Sequence, residues 1–157
     1  MRLRGYRDTD HDLLHGHWTP GELLGLPLPG RPALAVPAEV PAPGGPGQDA
    51  DERLCVADGV GVVRFTAIDW IARRARLETG LLPDAAPRAK EVLALAVTHA
   101  FDVLGLRRVH GAFTPLPGTD PEPLAAAGFV REARWPQALW HEGRAVDREI
   151  WAVLRDA

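Results

Sequence analysis

Cysteine, tyrosine and lysine are almost missing from this chain of 157 residues, which has one of each: Cys55, Tyr6 and Lys90. A lone cysteine cannot form an intramolecular disulfide. It has no partners at metal-ligand spacing either, so Cys55 reads as a small apolar strand residue in a reducing compartment. Long apolar runs are also missing. The N-terminus MRLRGYRDTDHDLLHGHW has charges scattered through it, with no signal-peptide core, and no later stretch is long enough to span a bilayer. The expectation is a soluble cytoplasmic protein with no membrane partner. A basic block is absent as well: 18 basic and 21 acidic residues give a formal charge of −3, so nucleic acid is not indicated as a partner. The near-exclusive use of Arg, beside abundant Ala, Gly and Pro, is a bias that GC-rich coding produces, and it removes weight from any argument based on Arg count.

What is present is enough for one core. A hydrophobic fraction of 46% over this length predicts a single domain, 1–157. Residues 2–6 read as a short strand, and Asp8, Thr9 and Asp10 are N-cap candidates for a short helix carrying Leu13 and Leu14. From Pro20 to Asp51 the chain turns to Pro, Gly and Ala. Its 29–51 part, with VPAEVPAPGGPGQDAD, holds too many prolines for a helix or central strand, and the whole of 20–51 reads as a long loop. Leu54, Cys55 and Val56, then 60–69, are β-branched and apolar around a Gly turn, which predicts a hairpin. A strand at 76–82 ends at Pro83 and Asp84. Residues 88–104 carry Leu93, Val97, Ala100, Phe101 and Leu104 at helical spacing and stop at Gly105. A strand in LRRVHGAFTP, a short helix at 124–127, a strand opening at Gly128 and a last strand at 147–154 complete the order. This predicts an α/β fold: a mixed, mostly antiparallel sheet of six to seven strands with one parallel pair, flanked by helices.

The wording of these pieces resembles the GNAT acyl-CoA-dependent N-acyltransferase family, in its ribosomal-protein N-acetyltransferase branch. The resemblance runs from Val60 to the C-terminus and rests on AFDVLGLRRV followed by AAAGFVREA, with the strands around them. It implies that acetyl-CoA lies where two parallel central strands splay apart, with a Gly-rich turn wrapping the pyrophosphate at the start of the following helix. Carried over, the first splayed strand is 76–82. The backbone N–H of Leu81 or Leu82 would meet the developing oxyanion, and the turn running into Arg88, Ala89 and Lys90 would hold the phosphates. The turn itself, PDAAPRAKEV, departs from the pattern: its glycines are absent and Pro87 removes a donor. Arg88 and Lys90 bring positive charge to the same place. The family's Asn-containing turn is also missing from TPLPGTDPEPLAAAGF, which offers no Ser or Tyr to protonate a departing thiolate.

Acyl transfer to an amine needs a base and an oxyanion donor. Glu78, inside the first splayed strand, is the base candidate. The alternative is that it pairs with an arginine such as Arg74 or Arg108 on a solvated sheet face. His110, on the neighbouring strand, titrates near neutrality and is the candidate relay, or else a hydrogen-bonded sheet histidine; strand parity decides whether the two share a face. His11, His15 and His17 read as a solvated helix face rather than metal ligands. Trp70, Trp135 and Trp140, three of five tryptophans, are candidates for the wall of an acceptor pocket or a homodimer contact. Trp135 to His141 is expected to lie between the last two strands. The resemblance implies transfer of an acetyl or other acyl group to an amine of a small molecule or peptide. A GNAT scaffold that has lost acetyl-CoA, acting as a binding module or a CoA-independent tailoring enzyme, is the alternative.

Overall fold

The computed structural model describes residues 1–15, 21–25 and 51–156. Trp18, His17 and all but Asp51 of the 29–51 loop lie outside the described residues. Seven strands form one sheet in the order β1-β2-β3-β4-β5-β7-β6: β1 Leu3–Gly5, β2 Arg53–Ala57, β3 Gly61–Asp69, β4 Arg74–Leu81, β5 Arg108–Phe113, β6 Val130–His141 and β7 Arg144–Leu154. All neighbours are antiparallel except β4 and β5. That pair needs a crossover, which the 3-10 helix Pro83–Arg88 and α1, Ala89–Thr98, supply.

Two-residue alternation sends the strand side chains to two cores. Cys55 and Ala57 of β2, Val63 and Phe65 of β3, and Ala75, Leu77 and Leu81 of β4 pack with Val92, Leu93 and Ala96 of α1 in the larger cluster. Leu54, Val56 and Val62 face the other way and pack with Tyr6, beside Leu13 of the 3-10 helix Asp8–His15. The predicted helix 88–104 is present, but its last turn, His99–Val103, is π-helical. It ends where Gly105 takes φ +70°, a conformation that costs glycine nothing. Helix α2, Glu122–Ala126, buries Leu124 against the same core.

One expected boundary is corrected. Trp135 and Trp140 do not lie in a connection between the last two strands, because β6 continues to His141. Strand β6 is a sheet edge, and Pro136 falls within its register shift, where no ladder pair with β7 is formed. A register shift between Trp135 and Leu139, with Gln137 at φ +52°, absorbs the irregularity.

Candidate active site

The parallel ladder is short. It pairs Arg74 with Arg108, Ala75 with Val109 and Arg76 with His110, and then the strands separate. Past the separation the N–H groups of Thr79 and Leu81 leave β4 on its β5 side, and the chain's own residues 21–25 receive them. Thr79 N–H donates to the Glu22 carbonyl and Leu81 N–H to the Gly25 carbonyl, each at 3.0 Å. On the far side Leu23 N–H donates to the Ala112 carbonyl at 2.8 Å, and Glu22 forms a parallel bridge with Ala112. The Thr79 hydroxyl donates to the Leu23 carbonyl (2.6 Å) and accepts from Gly25 N–H (3.2 Å). Segment 21–25, a turn with one bridge residue at Glu22, is thus an insert that bonds to both walls of the splay. Leu23 and Leu24 are buried within the main core. This corrects the reading of 20–51 as one continuous loop.

The insert brings in a carboxylate that the sequence did not single out. Glu22 is buried and accepts from the Thr114 hydroxyl (2.5 Å), Thr114 N–H (3.1 Å) and the Arg148 guanidinium (3.1 Å). Arg148 also donates to the Gly21 carbonyl at 3.2 Å. A buried charge is tolerated only with such partners. The only local signal for it is GELLG, two leucines between glycines in a Pro-rich stretch.

Glu78 and His110 lie on one face of the sheet, since His110 is level with Arg76 and Glu78 follows Arg76 by two residues. Glu78 is buried and ion-paired with Arg76 at 2.9 Å, with Arg64 at 4.0 Å across β3. Its partners are therefore Arg76 and Arg64, rather than Arg74 or Arg108; Arg108 is engaged by Glu132 at 2.5 Å. Burial holds the His110 imidazole below its ordinary pKa, and Arg108, Arg76 and Arg74 push it the same way, so the ring is neutral at pH 7.

Of the two oxyanion-donor candidates, Leu81 N–H faces the insert, whereas Leu82 N–H is committed to the Val60 carbonyl at 2.8 Å. In the turn, Ala89 is buried at the start of α1, Lys90 is exposed and Arg88 reaches Glu91 at 3.3 Å. Arg88 also lines an open pocket of about 410 Å³ with Met1, Arg2 and Asp58. The tryptophans do not converge. Trp70 sits at the β3–β4 turn, the unsplayed end, under the Arg53 guanidinium. Trp135 is level with Arg148, and Trp140 lies towards the exposed tip of the β6–β7 hairpin. Among the described residues no group of His, Cys, Asp and Glu is arranged to hold a metal ion, and no helix is long and apolar enough to cross a membrane.

No family model matches the chain, and no curated protein matches its sequence. Solved structures do match in shape. A mutant of the spermidine N-acetyltransferase SpeG from Vibrio cholerae superposes with a TM-score of 0.62 at 22% identity, over 68% of this chain and 67% of that one. A dodecameric form of spermidine N-acetyltransferase from the same organism gives 0.62 at 21%, over 68% and 67%. A chimera of SpeG and hSSAT gives 0.63 at 22%, over 68% and 69%. The chain has the GNAT fold. At this identity the likeness concerns the fold, and the reaction has to be argued from the site.

Proposed function

We propose that this GNAT-fold chain is an N-acyltransferase that moves an acetyl or other acyl group from CoA to an amine of a small molecule or peptide. The observation that carries the reading is the splay of β4 and β5 beyond Arg76 and His110, with the N–H groups of Thr79 and Leu81 aimed into the gap. An acyl-CoA arm holds two amides and a thioester, whose carbonyls need donors of this kind. In the reaction His110, neutral at pH 7, accepts the proton as the amine nitrogen bonds to the acyl carbon. The C–S bond breaks and that proton returns to the departing sulfur. Leu81 lies five strand residues beyond the level of His110, roughly 16 Å along an extended chain, so its N–H meets a carbonyl of the coenzyme arm rather than the oxyanion at the carbon where His110 acts. Glu78, held by Arg76, orients the charged face rather than acting as the base. Arg88 and Lys90 receive the phosphates in place of a glycine turn; the Ala89 N–H at the helix start is already donated to the Ala86 carbonyl.

The named structural neighbours act on spermidine, a polycation. Here the face shared by Glu78 and His110 also carries Arg64, Arg74, Arg76 and Arg108 against Glu78 and Glu132. That balance favours an amine that also bears a carboxylate, such as an amino acid or peptide, with Trp135 on the rim beside Arg148. A homodimer through the exposed β6 edge and a cytoplasmic location belong to the same reading.

A second reading, a GNAT scaffold without coenzyme, is favoured by the glycine-free turn and the filled splay. Calorimetry with acetyl-CoA separates the two, followed by an acceptor panel of amino acids, peptides and spermidine. Binding, with turnover on carboxylate-bearing amines that His110→Ala reduces at least tenfold, supports the acyltransferase. Absence of binding at millimolar coenzyme, both in the native chain and in one whose splay has been opened, leaves the coenzyme-free scaffold.

A further inference from the structure

Segment 21–25 is bound in the splay as a ligand would be, by backbone on both walls and by one charged side chain at its end. Three donors that β4 turns towards the splay are already taken by this segment: Thr79 N–H by the Glu22 carbonyl, Leu81 N–H by the Gly25 carbonyl and the Thr79 hydroxyl by the Leu23 carbonyl. Strand addition to exposed backbone is a general way to hold a peptide or a peptide-like chain.

Two glycines make the fit possible. A Cβ on Gly25 would lie 1.8 Å from the Thr79 carbonyl oxygen, so no other residue could lie that close to β4. A Cβ on Gly111, in the middle of β5, would lie 2.5 Å from Leu23 Cγ and 2.8 Å from the Leu77 carbonyl oxygen. Glycine weakens a strand interior; at 111 it clears the space that Leu23 fills. The third element is a latch away from β4. The Glu22 carboxylate is gripped by Thr114, just past β5, and by Arg148 of β7.

We propose that residues 21–25 are an intramolecular strap occupying the acyl-CoA cleft, latched by Glu22 to Thr114 and Arg148, and that the coenzyme binds only when the strap leaves. This rests on the acyltransferase reading above. The strap and an acyl-CoA arm compete for the N–H groups of Thr79 and Leu81, so apparent coenzyme affinity is the intrinsic affinity multiplied by the fraction of chains with the strap out. Anything that binds the released strap, or breaks the Glu22–Arg148 pair, would switch the enzyme on.

The test uses the full chain and two variants. Gly25→Val places side-chain atoms against the Thr79 carbonyl and forces the strap off β4. Glu22→Gln weakens the latch without enlarging the side chain, and serves if the first variant does not fold. Acetyl-CoA affinity is measured by calorimetry, and exchange of the Thr79 and Leu81 amide protons by NMR. The proposal predicts faster exchange at those two amides in the variants and acetyl-CoA binding at least tenfold tighter than in the native chain. Equal affinity in native and variant chains, with the two amides exposed in the variant, would overturn the strap while leaving the acyltransferase. No binding to any of the chains, with the amides equally exposed, would overturn the acyltransferase reading and the strap's role with it. Two amides that exchange rapidly in the native chain would overturn the strap outright.

Discussion

The two halves of β4 have different neighbours on the same side. Over Arg74, Ala75 and Arg76 the neighbour is β5, reached through a long crossover. Over Thr79 and Leu81 it is a five-residue segment from near the N-terminus. The first half is covered by α1-side apolar packing on one face and by arginines on the other, whereas the second buries Leu23 and Leu24, with the buried Glu22 carboxylate reaching past β5 to Thr114 and Arg148. The difference teaches that a splayed sheet does not leave its backbone groups unsatisfied. If no ligand supplies partners, the chain itself does.

Four changes test this contrast. The largest effect is expected from Leu23→Ala. If the insert is as integral as β4 itself, this variant loses about 2–5 kcal/mol in denaturant unfolding, as a Leu77→Ala control should. A loss under about 1 kcal/mol would mean that the insert is only loosely seated. Next is Glu22→Ala, which leaves Arg148 without its carboxylate. The cost of a broken buried pair is about 3–5 kcal/mol; because Arg148 keeps 19% of its side-chain surface in water, the measured loss should fall at or below the low end. Gly111→Ala comes third, at about 1–3 kcal/mol for overpacking. In combination with Leu23→Ala it should cost less than the sum, because Leu23 is one of the two neighbours the added Cβ would meet, the Leu77 carbonyl oxygen being the other; strict additivity would separate Gly111 from the insert.

The smallest effect concerns pH. Burial, then the neighbouring arginines, lowers the pKa of His110 in the folded chain, and burial lowers that of His99. The unfolded chain takes up protons near about pH 6.5, where folded His110 and His99 still refuse them. Their contribution to stability is therefore complete above that pH and is lost as pH falls towards the folded values. Unfolding curves between pH 7.5 and 5 should show this decline, and His110→Gln should flatten part of it. An unchanged slope would place the titration elsewhere.

Much of the fold was legible because its signals are local. The helix at 88–104 shows its periodicity and its glycine stop, and the hairpin at 54–69 its β-branched run. The insert was not legible, since the five hydrogen bonds that tie it to β4 and β5 join residues more than fifty positions apart, and Glu-Leu-Leu between glycines is too short to carry a period. Strand β6 was cut short in the sequence reading because Pro136 normally argues against a strand; only its place in the register shift of an edge strand makes it harmless. Alternation showed that Glu78 needed a partner, but the identity of that partner depended on register. Arg76 lies two residues away on the same face, and Arg64 directly opposite on β3.

The central claim is that the β4–β5 splay is an acyl-CoA cleft now held by residues 21–25. The most direct measurement is an acetyl-CoA titration of the full chain and of Gly25→Val, followed through the backbone amide signals of Thr79, Leu81, Ala112 and Ala89. The account predicts shifts centred on these four amides, saturating at lower coenzyme concentration in the variant. Signals that stay fixed at millimolar coenzyme in both chains, or that move only at sites away from the splay, would contradict it.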